Sequence, residues 1–179
     1  MIDETWQYQN YTIRPWQTKD RSAAADVIRI SLAEYGLGWE ATGADRDVLE
    51  VEKYYFDRGG EFWVVEDEGR IVGTSAYYPI ERGEKAVEIR KMYLLPIIRG
   101  KGLGRHLLGE LERVITARGY QEIWIETASI LAQAVRLYES SGYQLATGVE
   151  TPRCDRVYLK SININSRSIT NAIERTLNN

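Results

Sequence analysis

Two hydrophobic rhythms alternate along this chain, and each change of rhythm marks the boundary of an element. "YTIRPW" (Tyr11 to Trp16) reads as a first strand. Thr18 or Asp20 is placed to cap a helix running to about Tyr35, with Ala24, Val27, Ile28 and Leu32 on one face. A second helix is expected over Asp45 to Asp57. Phe62 to Glu66 and Arg70 to Tyr78 then flank "DEGR", a turn by composition, and predict a hairpin. In "VEIRKMYLL" the residues Val87, Ile89, Lys91 and Tyr93 alternate with Glu88, Arg90, Met92 and Leu94, a strand whose buried face the pattern leaves open.

Past that strand the rhythm shifts. Leu103, Leu107, Leu108, Leu111, Val114 and Ile115 share one helical face, and "ARG" at 117 to 119 supplies a stop. "EIWIET" (Glu122 to Thr127) predicts a strand, "LAQAVRLYESSG" a helix ended by Gly142, and "YQLAT" and "DRVYLKSI" two more strands. The mixture is α/β, with one domain over residues 1–162 and a polar, Asn-rich tail or short helix over 163–179.

Composition narrows what such a domain does. The 179 residues, 44% of them hydrophobic, suffice for one core. Lys and Arg total 23 against 26 Asp and Glu, so the net charge of −3 offers no global field for nucleic acid or an anionic membrane. A single cysteine, Cys154, and a single histidine, His106, exclude an internal disulfide and a Cys/His zinc cage, and no metal is expected. The start, "MIDETWQYQN", has neither a basic nor an apolar leader pattern, and no apolar run approaches the ~20 residues of a membrane span. A cytoplasmic setting is expected.

The junction "RGKGLGR" carries the chemistry. A helix N-terminus presents unpaired N–H groups and roughly half a positive charge, so a strand-to-helix turn suits an anion. Gly100, Gly102 and Gly104 remove the side chains that would block approach, while Arg99, Lys101 and Arg105 add positive charge around the same spot. Two neighbouring phosphates fit such a turn. A Walker loop does not match, since Lys101 is followed by Gly102 with no hydroxyl residue nearby, and a Rossmann loop would need a glycine where Leu107 stands.

Arg99, Gly102 and Gly104 resemble motif A, R/Q-x-x-G-x-G/A, of the GNAT superfamily of N-acetyltransferases. "EIRKMYLLP", "IWIET" and "AVRLYESSGY" extend the resemblance over most of the chain, the last with Tyr143 in place of a phenylalanine. It implies a mixed central sheet of about six to seven strands, splayed between the fourth and fifth and flanked by helices. It also implies acetyl-CoA as co-substrate, with the pyrophosphate on the amides of Gly100, Lys101, Gly102, Leu103, Gly104 and Arg105. The pantetheine arm would pair with the backbone of Met92, Tyr93 and Leu94. One position departs: Leu131 stands where the family often has an asparagine.

For the reaction, the resemblance assigns Tyr138 to the departing thiolate and Glu88 to the amine proton, with Glu126 as an alternative base or substrate contact. Tyr35, Tyr77 and Arg153 are candidate acceptor contacts beside Glu126, with Trp39, Tyr78 and Asp155 nearby in sequence. Cys154 has no His beside it and is not expected to act as a nucleophile. The expected activity is direct transfer of acetyl to a small primary amine such as an amino acid, without a nucleic-acid or membrane partner and with room for a homodimer. Acetylation of a protein N-terminus or lysine, and silent acyl-CoA sensing, are the alternatives.

Overall fold

The computed structural model describes residues 5–162, so the expected tail over 163–179 lies outside the described residues. Eight strands form one sheet: β1 (Trp6–Tyr8), β2 (Tyr11–Pro15), β3 (Glu61–Asp67), β4 (Arg70–Ile80), β5 (Ala86–Leu94), β6 (Glu122–Thr127), β7 (Gln144–Ala146) and β8 (Arg156–Ser161). Their spatial order is β1-β2-β3-β4-β5-β6-β8-β7, antiparallel everywhere except between β5 and β6. The extra strand relative to the expectation is β1, three residues that hairpin onto β2.

Among the described residues, four α-helices cover the faces: α1 (Arg21–Ala33), the short α2 (Arg46–Leu49), α3 (Leu103–Ala117) and α4 (Ala132–Ser140). The single helix expected over Asp45 to Asp57 is instead α2 followed by a wide π-type turn at Glu52–Phe56. That break turns Val48, Val51 and Tyr55 all inward, at 0% exposure. Leu103, Leu107, Leu108, Leu111, Val114 and Ile115 of α3 pack on one face of the sheet, against Val87, Ile89, Ile123 and Ile125. α1 and the α2 region cover the other face, where Ile28, Leu32 and Val48 meet Phe62, Val64 and Ala76.

Two irregularities shape the sheet's centre. β5 and β6 pair only at Ala86–Glu122, Val87–Ile123 and Glu88–Trp124, after which β5 runs on to Leu94 and β6 to Thr127 unpaired with each other. A V-shaped opening therefore begins immediately beyond Glu88, between the strands expected to be fourth and fifth. In β5 the register with β4 slips between Ala76–Arg90 and Thr74–Tyr93, and Lys91 sits there at φ 52°. This bulge resolves the alternation that the sequence left open. Before it, Val87 and Ile89 face α3; after it, Met92 and Leu94 do, while Tyr93 turns to the α1 side.

Candidate active site

The anion turn is built as its composition implies. Gly100 and Gly102 have φ of 77° and 80°, a region that suits glycine. The first backbone bond of α3 runs from His106 N to Gly102 O at 3.0 Å, which leaves the preceding amides without helical acceptors. Lys101 is held by the Tyr11 hydroxyl at 3.1 Å, and the Arg105 guanidinium donates to Ser140 Oγ at 2.8 Å, so both charges stay beside the turn. Arg99 behaves differently: it donates to Leu94 O at 2.7 Å and to both Glu34 oxygens at 2.9 Å, bracing the end of β5 against α1.

From this turn a groove follows the open half of β5. Met92, Tyr93 and Leu94 form one wall, Leu131, Ala134, Leu137 and Tyr138 the other, with Tyr35 at the margin. A Cβ placed on Gly104 would meet Leu137, Leu94 and Met92 at 3.6 to 3.9 Å, ordinary contact, so this glycine keeps the groove itself open. Leu131 makes that wall apolar where the family often has an asparagine. Tyr138 is 5% exposed, and burial holds its hydroxyl pKa well above the usual tyrosine value, so it keeps its proton at neutral pH.

A second groove is lined by Arg58, Tyr78, Glu81, Arg82, Glu88 and Glu150. Glu88, at the vertex, accepts a hydrogen bond from the Tyr78 hydroxyl at 3.2 Å. Arg90 donates to that same hydroxyl at 2.7 Å and stands 3.7 Å from Glu88 Oε1. Desolvation raises the Glu88 pKa despite Arg90, so its carboxylate is a stronger base than an exposed one. Beneath it, Lys91 Nζ is buried between Asp45 Oδ1 at 2.7 Å and Asp47 Oδ1 at 3.2 Å.

The remaining expected contacts occupy other roles. Tyr77 is fully buried in the α3-side core and lines neither groove, because its position in the pleat faces away from the one Tyr78 faces. Of the adjacent tyrosines, Tyr78 is the one that reaches Glu88. Glu126 accepts from Arg82 at 2.9 Å and from the Glu150 and Thr151 amides at 2.8 Å each. Burial works to raise its pKa, but these bonds outweigh it and the net shift is downward, so Glu126 pins a loop and is a weak base. Arg153 makes a bidentate pair with Asp45, both contacts 2.6 Å. Burial pushes the Cys154 thiol up to about 11, against its serving as a thiolate, and His106 is stacked on Tyr8.

Sequence reasoning missed Arg90, Lys91, Asp45 and Arg82. Each is charged and largely buried, but a lone charge in a strand or loop reads as solvated until its partner, tens of residues away, is known.

Comparison with known proteins agrees with this fold. The family model for "Acetyltransferase (GNAT) family" matches residues 24–143. The uncharacterized N-acetyltransferase YjgM of Escherichia coli K12 is 37% identical over 139 residues, 76% of this chain and 83% of that protein. N-acetylaspartate synthetase of Xenopus tropicalis is 32% identical over 105 residues, 58% of this chain and 38% of that protein. Among solved structures, a GNAT-family acetyltransferase from Staphylococcus aureus Mu50 superposes with a TM-score of 0.78 at 18% identity, covering 84% of this chain and 98% of that one. YncA of Salmonella typhimurium, solved with acetyl-CoA, gives 0.69 at 21% identity, with 88% and 97% covered.

Proposed function

Because this chain belongs to the acetyltransferase (GNAT) family, we propose that it moves an acetyl group from acetyl-CoA directly to the primary amine of a small molecule, with Glu88 as base and Tyr138 as acid. The chain's own groups fit such a donor. Amides ahead of His106 without helical acceptors, beside Lys101 and Arg105, suit a pyrophosphate, and the groove along Met92 to Leu94 suits an extended arm with amides of its own. Structural neighbours bound to acetyl-CoA or CoA, such as YncA, add support.

Acetyl-CoA supplies an activated thioester; the protein's part is placement and proton handling. Glu88 accepts the proton of an incoming ammonium, and its raised pKa makes it a better acceptor than an exposed carboxylate. Arg90, bonded to Tyr78, holds the Tyr78 hydroxyl against Glu88 and fixes the carboxylate's direction. Tyr138, protonated, donates to the departing sulfur and keeps it from attacking the product. Neither step asks for a covalent enzyme intermediate.

The observation that carries this reading is the position of Glu88, the last residue paired across β5 and β6 and part of the second groove's wall, on the same strand that runs on to line the first. For the acceptor, the groove beside it holds about 610 Å³ and carries Glu81, Glu88 and Glu150 against Arg58 and Arg82, the latter already neutralised by Glu126. A small cationic amine matches that room and that charge. The test is a panel of amino acids, diamines and peptide N-termini incubated with acetyl-CoA and scored by free thiol. Release with small amines alone fits the proposal, release with peptides alone moves the function to protein acetylation, and CoA binding without release with any amine leaves a sensor.

A further inference from the structure

We propose that the N-terminal hairpin is a clasp for the anion turn, and that Tyr8 and Gln9 are positioning residues for the pyrophosphate of the acyl donor; this rests on the donor site described above. The hairpin of β1 and β2 ends two strands away from β4, yet its tip lies on the turn. The Tyr8 hydroxyl donates to Lys101 O at 3.3 Å, and Gln9 Nε2 donates to the same carbonyl at 3.1 Å. The Tyr8 ring is stacked on His106, centroids 4.2 Å apart and 18° from parallel, and Tyr11 takes the Lys101 ammonium.

The consequence follows from peptide geometry. In a trans peptide the C=O and the next N–H point in opposite directions. Two donors that draw the Lys101 carbonyl toward the hairpin therefore turn the Gly102 N–H away from it, and they also keep a carbonyl dipole from facing the phosphates. An anion turn works only when its amides, and not its carbonyls, converge on the ligand. Two further features point to a built contact. Gln9 holds φ 54°, a conformation unfavourable for a side-chain-bearing residue, and a Cβ on Gly102 would stand 2.7 Å from the Tyr8 oxygen, so glycine is needed for the approach as well as for its φ. The hairpin is also held by Trp6, on the same face as Tyr8 and packed edge-on against Trp63 at 4.9 Å.

The double variant Tyr8→Phe, Gln9→Ala removes both donors and keeps the stacked ring and the Trp6 anchor. Calorimetric titration with CoA is expected to give a dissociation constant raised roughly 3- to 30-fold, because a turn no longer pre-organised must be ordered as the ligand binds. KM for acetyl-CoA should rise in parallel while kcat at saturating acetyl-CoA and the melting temperature stay near wild type. Unchanged CoA affinity in the folded variant overturns the clasp, as does a fall in kcat and melting temperature together, which would mark the hairpin as scaffold only. Should the double variant fold poorly, Gln9→Ala alone, at an exposed residue, carries the same test with a smaller expected rise. Failure of the wild-type protein to bind CoA would instead overturn the donor site itself.

Discussion

Lys91 Nζ lies 2.7 Å from Asp45 Oδ1, and the two side chains are 2% and 0% exposed. The pair joins the bulge of β5 to the loop after α1, and Arg153 reaches the same carboxylate from the loop before β8. Burial by itself would raise the Asp45 pKa, but the bonds from Arg153 and Lys91 prevail and lower it from 3.8 to about 2. Asp45→Asn leaves two buried cations short of a partner and should destabilise the fold by about 3–5 kcal/mol at pH 7, read by chemical denaturation. A depressed carboxylate pKa contributes stability above pH ~4 that disappears as the pH falls through about 2, so the gap between wild type and variant should narrow over that window. An equal gap at pH 7 and pH 2 would show that Asp45 acts through shape and not through charge.

Glu88 has the opposite sign. Its raised pKa means that the ionised form is the costly one in the folded state, a cost absent at low pH and present once the pH rises past that pKa. Glu88→Gln should therefore be at least as stable as wild type at pH 7 while losing roughly 10²-fold or more in turnover, with CoA affinity retained. The lost activity should recover in part at high pH, where the acceptor amine deprotonates without help. A loss that does not depend on pH would make Glu88 a residue that places the acceptor.

Tyr138→Phe removes one oxygen from a well-packed ring that touches Tyr143 and Tyr158. Turnover should fall by about 10²-fold, the low end for acid catalysis because a thiolate already departs readily, with acetyl-CoA affinity nearly unchanged. Steady-state rates beside CoA titrations on one preparation decide it. Full activity in the Phe variant would assign the proton to water.

Gly104→Val should fold normally, since a Cβ there meets its neighbours at 3.6 Å or more and the φ is not in the left-handed region. The added methyls enter the groove, and CoA affinity should drop at least tenfold, the equivalent of about 1.4 kcal/mol. A folded valine variant that binds CoA as tightly as wild type would remove the groove from the donor site.

What the sequence makes legible is local. The apolar stripe of α3, the glycines before it and the strand–helix order after it are all encoded within a few residues, and each forms where expected. β1 escaped because three residues, Trp6 to Tyr8, are too few to show a period and gain their structure from β2. The helix expected over Asp45 to Asp57 broke because tertiary packing of Val51 and Tyr55 overrode its local propensity. Nothing in the chain around Lys91 announces a bulge, since a lysine at positive φ is explained only by Asp45 and Asp47, more than forty residues away. Glu126 and Arg153 were legible as charges near the cleft, but their commitment to the Thr151 amide and to Asp45 was not.

The loop between β7 and β8 is tied at both ends of its arc: Glu126 holds the amides of Glu150 and Thr151, Arg82 holds the carbonyls of Thr147 and Gly148, and Arg153 is locked to Asp45. Its Glu150 lines the groove proposed for the acceptor, so the loop stands as a lintel over that doorway. Substitutions between those ties can reshape the opening while the anion site keeps its form. On the proposed assignment of that groove to the acceptor, editing one short arc would retune which amine is taken while the glycine turn is inherited unchanged.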